Sequence, residues 1–173
     1  GGEQIGSDPD FDRPAAHAGA WSNAANAYDD TDGTYASDSS NATTSYEQFG
    51  STVPTGDTIE GISVAMEVSA VTGTGTIDVQ LSWDGGESFT AVRTTPELTN
   101  TDTVVTVGGA SDTWGRTWTA SEFDNTSFIV LVTSQPVHGN TVQIDALQVK
   151  IHHSQSGGGQ GGGGGGSAPG GGI

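Results

Sequence analysis

The stretch at residues 62–70 reads Ile-Ser-Val-Ala-Met-Glu-Val-Ser-Ala, and it decides the fold class of the chain. Its apolar residues fall on every second position, which is the pattern of a β-strand with one face buried in a core. The same alternation returns at residues 77–83, Ile-Asp-Val-Gln-Leu-Ser-Trp. Segment 72–75 between the two runs contains two glycines, so we predict a β-hairpin with one buried face.

Other short apolar or alternating runs follow at residues 103–107, 128–132 and 143–152. In the last run, residues 142 and 144 are out of phase with residues 147, 149 and 151, which predicts a β-bulge near Asp145 and Ala146. Roughly seven to nine short strands separated by Gly-rich turns are typical of a two-sheet protein. We therefore predict an all-β fold, an antiparallel β-sandwich of jelly-roll type.

The composition divides the chain into three parts. Residues 1–19 are polar and lack periodicity, so they are predicted to form an extended N-terminal arm. Residues 20–153 are predicted to form the sandwich, and residues 154–173 a Gly-rich C-terminal tail. Glycine lets two backbones approach closely and form main-chain hydrogen bonds, so we expect the tail to contact neighbouring subunits in an assembly. The residues expected to take part in this contact are Gly157, Gly161, Pro169 and Ile173.

The charge balance excludes several classes of partner. The chain has 21 acidic and four basic residues, for a formal net charge of −17. Nucleic acids and anionic membrane surfaces would be repelled, since both are bound through basic side chains. No apolar run approaches the roughly 18 residues of a membrane span. Without cysteine, and with four histidines outside any recognisable catalytic pattern, the chain is predicted not to be an enzyme.

The acidic segment around residue 30 is a candidate calcium site. Asp29, Asp30 and Asp32 precede Gly33, and closely spaced carboxylates are the hard oxygen ligands that Ca²⁺ prefers. A turn stabilised by hydrogen bonds from aspartate side chains to the backbone explains the same pattern. Both interpretations are open, and no cofactor is expected beyond this structural calcium ion.

Four aromatic residues are candidates for binding a glycan. Trp21, Tyr35, Trp114 and Trp118 lie in segments rich in Gly, Ser, Asn and Asp, which favour loops. Aromatic side chains that combine a flat apolar ring with a polar group are suited to sugar stacking. The alternative is that the indoles close the ends of the sandwich as part of its core.

Six short motifs occur in order along the chain. They are Trp21-x-Asn23-x-x-Asn26-Ala27-Tyr28, Asp32-Gly33-x-Tyr35-Ala36, Pro54-x-Gly56-x-x-Ile59-x-Gly61-Ile62, Leu81-Ser82-x-Asp84-Gly85-Gly86, Gly108-Gly109-x-Ser111-Asp112-x-Trp114-Gly115-x-x-Trp118 and Asp145-x-Leu147-x-Val149-x-Ile151. Together they resemble a domain that recurs in structural proteins of tailed viruses and in some microbial surface proteins. The resemblance covers about residues 21–151. It implies a β-sandwich on the outside of a virion, as a capsid decoration protein, head fibre or tail-fibre module. The Asp32-Gly33 loop is also distantly similar to discoidin-like lectin domains, in which a nearby loop holds a structural calcium ion.

From these observations we expect a non-enzymatic structural protein of a virion or cell-surface assembly. Its partners would be copies of itself or other subunits, contacted through the terminal arms. It would be located on the virion surface or outside the cell. The alternative function is a carbohydrate-binding, lectin-like module on a microbial or viral surface, with a glycan as its partner.

Overall fold

The computed structural model describes residue 5 and residues 8–155, which form nine strands and two short 3-10 turns. The 3-10 turns span Ala24–Tyr28 and Ala120–Phe123. No helix among these residues has the length and apolarity that a membrane crossing requires. The strands are β1 (Ala16–Gly19), β2 (Ala36–Asp38), β3 (Thr43–Glu47), β4 (Thr58–Ala70), β5 (Gly75–Ser82), β6 (Arg93–Thr94), β7 (Thr103–Gly109), β8 (Ile129–Pro136) and β9 (Val142–Ser154).

The strands build two antiparallel sheets that pack face to face. One has five strands in the order β1-β3-β8-β5-β6, and the other has four in the order β2-β9-β4-β7. Alternate residues of the longer strands point into a shared core that includes Met66, Leu81, Val130 and Leu147, all fully buried. This confirms the predicted all-β fold, an antiparallel β-sandwich of jelly-roll type.

The predicted hairpin between residues 62–70 and 77–83 is wrong. Strand β4 pairs with β7 and β9, whereas β5 pairs with β6 and β8 in the other sheet. The connecting residues therefore cross from one sheet to the other, although both strands send apolar side chains into the same core. Alternation shows which face of a strand is dry, but it does not identify the strand that pairs with it.

The predicted bulge in the last strand is confirmed. In the β4–β9 ladder, Glu67 lies opposite Ala146 and Val68 lies opposite Ile144, so Asp145 is the extra residue. The bulge lets both halves of β9 keep their apolar side chains in the core. It also changes the direction in which the residue between them projects, and this residue is an aspartate.

The outer faces of the two sheets differ in burial. On the four-stranded sheet the outward residues in the middle of β4 and β9 are buried, and we call this the covered face; its members are Ser63, Ala65, Glu67, Ser69, Ala146 and Gln148. On the five-stranded sheet most outward residues are partly or fully exposed, and we call this the open face; its members include Thr43, Ser45, Thr76, Asp78, Gln80, Thr94, Leu131, Thr133 and Gln135.

Segments outside the strands lie against the covered face. The backbone N–H of Ile5 donates to Oε2 of Glu67 at 3.2 Å, and Asp12 forms a two-way backbone bridge with Val149 on β9. From the other side, the Tyr35 hydroxyl donates to Asp102 at 3.2 Å, which joins the loop before β2 to the loop before β7. Within the predicted arm 1–19, strand β1 begins at Ala16. The domain boundaries stay a prediction.

Candidate functional site: a buried carboxylate triad

Three carboxylates converge on the covered face. Glu67 projects outward from β4, Asp145 from the bulge of β9, and Asp32 from the loop that precedes β2. One carboxylate oxygen from each lies within 4.8 Å of the others. We call these residues the carboxylate triad. Strand pairing fixes two of its members, and the third is carried by a loop.

Two members of the triad, Asp145 and Glu67, are buried with carboxylate oxygens that lack a hydrogen-bond partner among the described residues. Asp145 is fully buried and Glu67 is 1 % exposed. No donor among the described residues makes a well-formed hydrogen bond to either oxygen of Asp145 or to Oε1 of Glu67. Buried carboxylates without partners are costly, because each has lost its hydration. An arrangement of this kind requires a proton or a bound cation.

Burial and mutual repulsion make these carboxyl groups hard to ionise. Burial raises the pKa of Glu67 to about 7, and the negative charge of Asp145 adds to this rise. Burial likewise raises the pKa of Asp145 to about 6, with further contributions from Asp102 and Asp32. Near neutral pH these two carboxyl groups therefore retain protons more readily than solvated carboxyl groups do.

The basic residues of the chain pair with other carboxylates. Arg93 forms a bidentate ion pair with Asp112, and Arg116 forms a bidentate ion pair with Glu122. The other two basic residues reach the acidic groups of the N-terminal part and of the loop after the first 3-10 turn: Arg13 lies 3.8 Å from Asp30, and Lys150 lies 3.6 Å from Asp10 and 4.0 Å from Asp8.

The structure gathers only one of the three aspartates predicted to bind calcium into the triad. Asp32 joins Glu67 and Asp145. Oδ1 of Asp29 accepts the backbone N–H of Thr31 at 3.0 Å, and hydrogen bonds from Thr31 lower the pKa of this aspartate. Asp29 therefore forms the aspartate turn that was the alternative interpretation. A calcium site formed by Asp29, Asp30 and Asp32 together stays a prediction.

Glu67 and Asp145 were not predicted as ligands. Glu67 lies on the polar side of the alternating stretch, and the pattern predicts that a charged residue there faces solvent. Nothing local shows that this side is covered, because the covering segments are distant in sequence. Asp145 carried a usable signal, since an acidic residue at a predicted bulge of a long strand projects out of register.

The candidate glycan-binding indoles lie in the core. Trp21, Trp114 and Trp118 are 3–4 % exposed. Their ring N–H groups donate to the backbone carbonyls of Ala42, Ile62 and Thr113, respectively, at 2.8–2.9 Å.

The faces of the Trp114 and Trp118 rings are already occupied by protein. The Trp118 ring stacks on Phe123 with centroids 5.2 Å apart, and the Arg93 guanidinium lies 4.7 Å from the centre of the Trp114 ring. A sugar would have to displace these groups to reach an indole face. Tyr35 is half-buried and tied to Asp102, which contributes after burial to raising the pKa of Tyr35 to about 12. Glycan binding at these four residues stays a prediction.

The residues proposed for assembly through the tail fall outside the described residues. These are Gly157, Gly161, Pro169 and Ile173.

No protein-family model matches the chain, and no curated protein matches it. Solved structures with a similar fold include "CBM4 structure and function", at 14 % identity over 64 % of this chain and 73 % of that chain, with a TM-score of 0.42. TmCBM61 in complex with β-1,4-galactotriose is similar at 11 % identity over 80 % of this chain and 90 % of that chain, with a TM-score of 0.41. The CBM22-1 xylan-binding domain from Paenibacillus barcinonensis Xyn10C has 10 % identity over 86 % of this chain and 90 % of that chain, with a TM-score of 0.39.

The expectation of a virion structural protein is wrong. The structures reported above are titled as carbohydrate-binding modules, and none of them is a virion protein. The expected roles in capsid decoration or in head or tail fibres are therefore also wrong, and so is the expected location on a virion. The motifs behind the resemblance are mostly turn and strand signals, which unrelated β-sandwiches share.

Proposed function

We propose that this chain is a non-catalytic binding module whose sandwich holds one calcium ion at the carboxylate triad. The observation that carries the proposal is the convergence of Asp32, Glu67 and Asp145 on one point of the covered face, with three buried oxygens unpartnered. Calcium suits this donor set because it takes six to eight oxygen ligands in flexible geometry. Zinc and copper favour the nitrogen and sulfur ligands that the triad lacks.

The ion would have a structural role. It would join β4, β9 and the loop before β2, and so fix that loop over the covered face. Only Asp32 is exposed among the three ligands, which leaves little room for a reacting substrate beside the ion. Extracellular modules bind calcium with dissociation constants of about 10⁻⁴–10⁻³ M, and we propose that this module also acts outside the cell or on its surface.

Calorimetric titration of EDTA-treated, dialysed protein with CaCl₂ tests the site. We expect one ion per chain, with weaker binding of MgCl₂, because Mg²⁺ demands stricter geometry and holds its water. Glu67→Gln and Asp145→Asn should each weaken binding at least tenfold. The exposed Glu87→Gln is the matched control and should bind as the wild type does. Absence of calcium binding in the wild type, or equal binding in Glu67→Gln, would reject the site.

The open face favours a second function, the binding of a carbohydrate. Its outward side chains are largely hydroxyls and amides, and they remain partly exposed across the sheet. Such a surface can exchange hydrogen bonds with the hydroxyl groups of a neutral sugar chain. With a net charge of −17, the protein should reject anionic polymers.

Affinity electrophoresis in native gels tests this second function. With calcium present, we expect at least one neutral polysaccharide among dextran, soluble starch and hydroxyethyl cellulose to retard the protein. Polygalacturonate, which is anionic, should not retard it. Equal mobility in all of these gels and in the polymer-free gel would reject carbohydrate binding and leave the calcium proposal standing.

A further inference from the structure

The open face carries one row of polar side chains in register across four strands. Thr94 on β6 lies opposite Asp78 on β5, Asp78 lies opposite Thr133 on β8, and Thr133 lies opposite Thr43 on β3. Directly paired residues point to the same side of a sheet, so all four side chains reach the open face. Four adjacent strands span about 14 Å. This is an extended site rather than a point contact.

Hydrogen bonds hold the polar groups of this region in fixed orientations. The Thr94 hydroxyl donates to Oδ1 of Asp78 at 2.6 Å, and Nε2 of Gln135 donates to Oδ2 of the same carboxylate at 2.9 Å. Gln135 in turn accepts from Nδ2 of Asn41 at 3.0 Å. The four residues in register, together with Gln135 and Asn41, form what we call the polar row; its members are Thr43, Thr133, Asp78, Thr94, Gln135 and Asn41.

The groups of the polar row keep unused bonding capacity. Each carboxylate oxygen of Asp78 has a further lone pair, and the Gln135 amide has a second N–H. Because the groups are already oriented by one another, little side-chain freedom is lost when a ligand binds.

One partly exposed apolar side chain adjoins this row. Leu131 on β8 is partly exposed and lies opposite Gln80 on β5 and Ser45 on β3. A sugar ring presents C–H groups on its faces and hydroxyls around its rim. A polar row beside an exposed leucine therefore matches both parts of such a ring, the rim with hydrogen bonds and the face with apolar contact.

We propose that the polar row and Leu131 form the contact surface for a neutral polysaccharide chain. The negative charge of the open face favours a neutral polysaccharide over an anionic one. Its described outward positions include carboxylates at Glu47 and Asp78 and contain no Lys or Arg, so anionic chains are repelled while uncharged hydroxyls are accepted. The inference rests on the proposed carbohydrate-binding function and assigns it to residues outside the indole set.

The experiment measures retardation by the neutral polysaccharide that slows the wild type most, in calcium-containing native gels. Asp78→Ala and Gln135→Ala should each weaken the apparent affinity at least tenfold. Gln143→Ala, on the four-stranded sheet, is the matched control and should keep the wild-type affinity. Thermal unfolding followed by circular dichroism verifies that each variant is folded, and Asp78→Asn provides a milder second variant.

The outcomes separate the site from the function. If the wild type is retarded and the folded Asp78 and Gln135 variants are retarded equally, carbohydrate binding stands and the polar row is rejected. If no polysaccharide retards the wild type, both are rejected. If light scattering shows an oligomer that Leu131→Glu dissociates, the open face is an interface between copies of this chain, which also overturns the proposal.

Discussion

The two sheets of this sandwich present outward faces of similar chemistry in opposite surroundings. Each carries Ser, Thr or Gln around an acidic residue near its centre, Glu67 on the covered face and Asp78 on the open one. Glu67 is buried with one oxygen unpartnered, whereas both oxygens of Asp78 accept hydrogen bonds from neighbouring side chains. The role of a strand carboxylate therefore depends on what lies over it. Beneath a covering segment it takes up a proton or, as we propose, a cation, and on an open face it can accept hydrogen bonds from a ligand.

The largest effect should come from adding a charge to each face. Ala65→Glu places a carboxylate beside Glu67 at a position that is 4 % exposed, and we expect a loss of more than about 3 kcal/mol in the free energy of unfolding. Thr43→Glu on the open face is exposed and should change that free energy by about 0.5 kcal/mol or less. Urea unfolding of both variants measures the difference. If both variants lose equally little free energy of unfolding, the face that carries Ala65 is not covered.

Much of the fold is predictable from the sequence because it depends on local pattern. Alternation places Ile62, Val64 and Met66 in a core, and the phase change around Asp145 predicts the bulge. The pairing of β4 with β7 and β9 is not predictable in this way, since it depends on the contacts of whole strands distant in sequence.

The candidate sites are less predictable for the same reason. Asp32 is recognisable as a ligand from its acidic neighbours, but its partners Glu67 and Asp145 lie 35 or more residues away and meet it only after the sandwich forms. The indoles were candidates because their segments resemble loops. The structure buries those rings, since each finds a backbone carbonyl for its N–H and apolar neighbours for its faces.

The second effect is a pH dependence of the metal-free protein. The pKa of Glu67 is raised to about 7 and that of Asp145 to about 6, both above the values of unfolded carboxyls near 4. Between about pH 4 and 7 the folded state therefore holds more protons than the unfolded state. The free energy of unfolding should then fall as pH rises through this window, by roughly a few kcal/mol.

Urea unfolding in EDTA at pH 5.0 and 7.5 measures this dependence. Saturating calcium should remove most of the decrease, because the ion binds the ionised carboxylates of the folded state. Glu67→Gln should flatten the dependence in EDTA, and Glu87→Gln should not. A metal-free wild type that is equally stable at both pH values would contradict the electrostatic description of the triad.

The smallest effect concerns the loop that carries Asp32 across the covered face. Tyr35→Phe removes the hydroxyl that donates to Asp102, and we expect a loss of about 1 kcal/mol in the free energy of unfolding. Because the same loop carries Asp32, which we propose as a calcium ligand, the variant should also bind calcium several-fold more weakly in calorimetric titration. Tyr28→Phe is the matched control, since its hydroxyl contacts Nδ1 of His17 at 2.6 Å on β1, away from the triad. Equal calcium affinity in both variants would show that the covered face holds its ligands without the Tyr35 contact. In that case the residues of β4 and β9 alone, without the loop before β2, would account for the difference between the covered face and the open face.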